Sequence, residues 1–170
     1  VGDWSSDVCS SDLDPATVSV LLAEVPRSVV ASPALLARFP TVNTPEDLQQ
    51  FPWIAISSFY QRHVELFHDA SPATARVAIT PRLSTDSLYV ARNTALTGLG
   101  VAVVSSWTVQ DDIREGRLVH LLPDWQPAAL PVHLVYPWSR YYPARLRRFL
   151  ELMRQVMPEV TGMRKPVQQP

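Results

Sequence analysis

The side chains of this chain that could carry chemistry are four histidines, one cysteine and several clustered hydroxyls. His63 and His68 stand five apart, whereas two metal ligands on one helical face need a spacing of three or four. His120 and His133 sit inside strand-like apolar runs, where a hydrogen-bonded histidine is the simpler reading. No ligand-spaced cluster accompanies any of them, so neither a metal nor another cofactor is expected. Cys9 has no second cysteine to pair with. No serine lies in a Gly-x-Ser-x-Gly elbow, the strained turn that exposes a hydrolase nucleophile. Gly98-Leu99-Gly100 lacks the third glycine of a dinucleotide loop, and it follows a helix where that loop follows a strand. The residues point away from catalysis and towards ligand sensing, so the chain is not expected to be an enzyme.

Two hydroxyl clusters remain as candidate ligand contacts. Ser84-Thr85-Asp86-Ser87 precedes a helical pattern, where unpaired backbone amides attract carboxylates and other anions. The same residue types are also the common helix caps, so capping alone accounts for them equally well. Ser57-Ser58-Phe59 follows an apolar strand, and the carboxyl ends of strands are where open α/β sheets bind ligands. Ser57, Ser58, Phe59, Ser84, Thr85 and Asp86 are therefore the candidate set. The hydroxyls would orient a polar or carboxylate head and Phe59 would wall an apolar body.

The elements that must position these groups alternate in type. Ser28–Ala31 reads as a strand, and Ser32-Pro33 opens a helix with a serine cap and proline at its first position. Thr44-Pro45-Glu46-Asp47 repeats that logic, with acids at the positive helix end. Trp53–Ser57 reads as a buried strand, residues 59–69 fit neither period, and 76–80 alternate as a strand. Leu88, Ala91, Ala95, Leu96 and Leu99 share one helical face. Gly98 or Gly100 ends that helix, and the wholly apolar Val101–Val104 follows as a strand covered on both faces. Ser105-Ser106 caps a short helix that Gly116 ends. Strands over 118–122 and 132–136 follow, then a helix opened by Pro143 whose polar face carries Arg145, Arg147, Arg148 and Arg154. Residues 158–170 read as a disordered tail. The alternation argues for an α/β fold.

Composition narrows the class. A chain of 170 residues, 46% hydrophobic, can bury one core or two small lobes. A net charge of −1 leaves no bulk basic surface for holding DNA. No run approaches the length needed to span a bilayer, and no secretory signal opens the chain. With a single cysteine, a cytoplasmic setting fits. Residues 1–13, VGDWSSDVCSSDL, repeat Ser-Ser-Asp without periodicity and resemble strings translated from sequencing adapters. They read as a non-native or disordered leader.

Five segments together resemble the effector-binding domain of LysR-type transcriptional regulators. Arg27–Ala37 (RSVVASPALLA) is similar to the family's strand-to-helix turn, and Thr44–Leu48 is its TPEDL. Thr85-Asp86-Ser87 with Ala95–Ala102 resembles its capped helix, glycine turn and strand. Asp112–Trp125 (DIREGRLVHLLPDW) and Val132–Pro137 with Phe149-Leu150 complete the order. The resemblance implies a fold like type 2 periplasmic binding proteins, with two lobes, the first incomplete, and an inducer in the cleft between them. It implies an effector-binding domain over 14–157, with lobe I as 14–57 plus 127–157 and lobe II as 58–126. It also implies a small-molecule effector, such as an organic acid, DNA contact only through a helix-turn-helix absent here, a homo-oligomer, and no membrane. A solute-binding protein of a transport system shares that fold and stands as the second reading.

Overall fold

The computed structural model describes residues 16–57 and 62–166. The chain begins with β1 (Thr17–Val25) and β2 (Arg27–Ala31), then α1 (Pro33–Leu36) and a 3-10 turn (Pro45–Gln50). Next come β3 (Trp53–Ile56), β4 (His63–His68), β5 (Thr74–Ala78) and β6 (Pro81–Thr85). α2 (Leu88–Leu96), β7 (Val101–Ser105) and α3 (Ser106–Arg114) follow. Then come β8 (Val119–His120), β9 (Trp125–Pro127), β10 (Leu130–Pro137), α4 (Ala144–Val156) and a second 3-10 turn (Met157–Glu159). Arg164, in the stretch expected as a disordered tail, pairs instead with Glu24 of β1 through two backbone hydrogen bonds of 2.9 and 3.0 Å.

Local sequence accounts for the starts and stops. Ser32 Oγ accepts the Leu35 N–H at 3.2 Å, and Pro33 then opens α1. Asp47 Oδ2 accepts the N–H groups of Asn43 and Thr44, both at 2.9 Å, and so seals the entry to the 3-10 turn. These backbone hydrogen bonds, Asn43's first, hold the Asp47 carboxyl below the usual 3.8. Gly98 and Gly116 end α2 and α3 with φ of +76° and +72°, a left-handed backbone that glycine adopts freely. The ambiguous stretch 59–69 resolves in its described part as β4, with Val64 and Leu66 buried at a period of two. Two elements are additions to the sequence reading, β1 and β6. The strand expected over 118–122 shortens to β8, and Trp125–Pro127, expected as a turn, pairs with β4.

The chain divides into two compact units, one from residues up to Val25 together with Leu130 onward, the other Pro26–Ala129. The continuous unit holds a five-stranded sheet in the order β6-β3-β7-β2-β8 and a three-stranded sheet β5-β4-β9. β3 runs parallel to β6 and β7, while β2 runs antiparallel to β7 and β8. Residues 26–57, expected in the first lobe, therefore fall elsewhere. β2 and β3 hydrogen-bond to β7, and this pairing outweighs their nearness to β1 in sequence.

Alternate residues of the central strands feed two separate cores. Val29, Ala31, Trp53, Ala55, Val101 and Val103 pack with Leu35, Leu48 and Phe51 and with Val64, Leu66 and Val77 of the small sheet. Val30, Ile54, Ile56, Ala102 and Val104 pack with Ala91, Ala95 and Val109 of the helices. Both faces of the sheet are covered, which is why its strands read as unbroken apolar runs.

The discontinuous unit is smaller. β1 pairs antiparallel with β10, with a register shift between Leu21 and Ala23. α4 contributes one buried residue, Leu150, among those described, while Phe149, Leu152 and Val156 stay exposed.

Candidate functional site

β3 and β6 run side by side in the same direction, Ile56 opposite Thr85, so their carboxyl ends emerge together. Ser57 follows β3 directly. Its backbone N–H donates to the Thr85 carbonyl at 2.9 Å, and its Oγ donates to the same oxygen at 3.2 Å. Thr85 Oγ1 accepts the Ser87 N–H at 3.1 Å, and Ser87 Oγ accepts the Val90 N–H at 3.4 Å. Ser87 is the N-cap of α2. The expected cap is therefore its last member, and Ser84 and Thr85 belong to strand β6.

The strand period sorts the candidates further. Ser84 stands opposite Ala55 and Thr85 opposite Ile56, so the two side chains project from opposite faces of the sheet. The structure brings Ser57, Thr85 and Ser87 together and leaves Ser84 apart from them. Asp86 is exposed in the turn between β6 and α2. Ser58 and Phe59 lie outside the described residues. The strand state of residues 81–85 was the missed signal. Arg82 and Ser84 alternate with Leu83 and Thr85, and the burial follows that alternation.

Chemically, this end of the sheet offers hydrogen bonds. The bond from Ser87 uses a lone pair of Thr85 Oγ1 and leaves its proton available to a carbonyl or carboxylate. The histidines are placed otherwise. His63 lies across β4 and β5 from Arg76, with ring nitrogens 2.9 and 3.2 Å from Nη2. His68 Nδ1 accepts the Ala70 N–H at 3.1 Å, and the ring meets Trp125 edge-on at 5.0 Å. His120 Nε2 is buried without a hydrogen-bond partner among the described residues. Burial holds its pKa below 6.5, against the opposing charge of Asp69. Among the described residues no group of three or more His, Cys, Asp or Glu could hold a metal ion.

A parallel-strand site beside a capped helix is a fold-level feature, and the match to known proteins decides whose fold it is. Residues 8–158 match the LysR substrate binding domain. The chain belongs to this family. The match takes in residues 8–13, part of the stretch set aside above as a leader. The family is one of transcriptional regulators, which are not enzymes. The chain is 33% identical to the HTH-type transcriptional regulator PtxR of Pseudomonas aeruginosa over 79% of its own length and 43% of PtxR. It spans less than half the length of the curated relatives it matches. Among solved structures it resembles the regulatory domain of CrgA, a LysR-type transcriptional regulator from Neisseria meningitidis. That likeness has a TM-score of 0.59 at 27% identity, covering 85% of this chain and 71% of the other. The regulatory domain of AphB in Vibrio vulnificus shares the fold, with a TM-score of 0.62 at 21% identity, covering 85% of this chain and 71% of that one. The LysR fold, periplasmic-binding-protein-like, is thus the fold of this chain, and its matched relatives are regulators, not solute-binding proteins. Among the described residues, no helix is long and apolar enough to cross a membrane.

The motifs that carry the LysR resemblance fall on caps and turns. Ser32-Pro33 starts α1, Thr44–Leu48 enters the 3-10 turn, and Gly98 and Gly116 end helices. They specify how the chain turns corners, and the hydroxyls of Ser57, Thr85 and Ser87 sit between them in sequence.

Proposed function

We propose that this chain is the sensing portion of a LysR-type transcription regulator and that it takes a small-molecule effector at the carboxyl ends of β3 and β6. One observation carries this reading. Ser57 and Thr85, distant in sequence, are tied through one carbonyl at neighbouring strand ends beside the start of α2. Thr85 and Ser57 orient the polar head of the effector, an organic acid. Ser58, Phe59, Ser84 and Asp86 complete the proposed contact set. In the whole protein, an effector that binds one conformation better shifts the population of DNA-binding states. DNA is held by a helix-turn-helix outside this chain, in a cytoplasmic homo-oligomer.

Calorimetric titration of the chain with a panel of small organic acids tests the reading. A binding acid should lose about tenfold in affinity on Thr85→Ala, the value of one hydrogen bond to a charged group. Unchanged affinity in both Thr85→Ala and Ser57→Ala would overturn the site.

A further inference from the structure

The opposite end of the same strands holds a second feature. β3, β6 and β7 begin at Trp53, Pro81 and Val101, and a cleft opens beside those amino ends, about 13 Å from Ser57 at 3.3 Å per residue. It consists of two hollows of roughly 470 and 460 Å³ that share Arg38 and Arg82 as wall residues. Each is within the range of small-molecule pockets.

The walls are chemically specific. Phe39, Phe51 and Leu35 line one hollow, the two rings packed at 4.6 Å between centroids. Thr97, Gly98 and Leu99 line the other. Arg38 and Arg82 are the ionisable groups of the lining in both. Arg38 Nη2 donates to the Gly98 carbonyl at 2.7 Å, which fixes the guanidinium while leaving other N–H groups of its fork to be used. Arg92, Arg114, Arg117 and Arg164 each pair with a carboxylate, whereas Arg38 and Arg82 pair with none among the described residues.

We propose that this cleft is a second ligand site, distinct from the carboxyl ends of the strands, for a small carboxylate with an apolar body. Arg38 and Arg82 hold the carboxylate, and the partly exposed ring of Phe39, backed by the buried Phe51, contacts the body. Guanidinium forks match carboxylates in shape and charge, and a part-apolar cleft strengthens that pairing. Gly98 has a role here beyond ending α2. A Cβ there would press on Ser32 Oγ at 3.1 Å and reach ordinary contact with Arg38 Nη2 at 3.7 Å, so the glycine lets the start of α1 and Arg38 lie close to the end of α2.

The test is a nuclear magnetic resonance titration of the 170-residue chain with benzoate. Saturable shifts are expected at the side-chain Nε–H groups of Arg38 and Arg82 and at the Gly98 and Leu99 amides. Arg82→Gln and Arg38→Gln should each weaken benzoate about tenfold, and neutral benzamide should bind at least tenfold more weakly. Arg82 is exposed on β6 and is not part of the buried core, so its variant leaves the fold intact. Thr85→Ala should leave this binding unchanged, which separates the cleft from the proposed effector site. The proposal is overturned if Gly98 and Leu99 do not shift, if Arg82→Gln binds benzoate like the parent, or if benzamide binds equally well. Weakening by Thr85→Ala alone would place benzoate at the other end of the strands and also overturn it.

Discussion

Asp112 is a fully buried carboxylate that two elements depend on. Its oxygens accept from Arg92 Nε of α2 at 2.6 Å and from Arg117 Nε, beyond α3, at 2.8 Å. Burial alone would raise its pKa, but the hydrogen bonds and charges of Arg92 and Arg117 outweigh it and hold the carboxyl below 3.8. Asp112→Asn keeps the shape and removes the charge, so urea unfolding should show a loss of about 2–4 kcal/mol. The stabilisation from this carboxylate is present above pH 3.8 and is lost as pH falls through its lower folded value. His120 acts in a different window. Burial lowers its folded pKa, so below pH 6.5 the unfolded chain binds the proton more readily and acid destabilises the fold. His120→Gln should flatten the stability profile just below pH 6.5 and leave the acidic limb governed by Asp112, as read from denaturation midpoints across pH.

At the scale of elements, two glycines predict two different outcomes. Gly116 has φ of +72° and open space around it, so Gly116→Ala meets backbone strain alone, about 1 kcal/mol. At Gly100 a Cβ would lie 2.7 Å from the Pro52 carbonyl oxygen, backbone against backbone at the start of β3. Gly100→Ala should therefore lower stability by about 2 kcal/mol or more, and thermal melts should place it below Gly116→Ala. These turns were legible in the sequence because glycine and cap chemistry is local. Ser32, Thr44 and Ser87 are readable for the same reason. β1 was not legible, because the register shift between Leu21 and Ala23 breaks its alternation. β6 was not legible either, since Pro81-Arg82-Leu83-Ser84-Thr85 has one large apolar residue and owes its strand state to pairing with β3. The candidate site was legible to the same degree. The hydroxyls stand out in the sequence, but the carbonyl joining Ser57 to Thr85 belongs to that unread strand.

For the whole molecule, the two units differ in how much holds them. The continuous unit has a sheet covered on both faces, while the discontinuous one has a two-stranded sheet and a helix whose Phe149, Leu152 and Val156 remain exposed. Two-stranded sheets are marginal without further packing. Amides of β1 and β10 should therefore exchange with deuterium faster than those of β2, β3 and β7, as mass spectrometry of peptic fragments would show; equal protection would refute the difference. The continuity itself orders events in time. β1 leaves the ribosome before its partner exists, and all of residues 26–129 must follow before β10 can meet it. That stretch can fold in the interval, and Arg27 Nε then donates to the Ala128 carbonyl at 2.6 Å, joining its two ends. A closure across a long, entropically costly loop becomes one across a short gap. Arg27→Met should accordingly slow the docking of β1 onto β10 in refolding while sparing the earlier burial of Trp53.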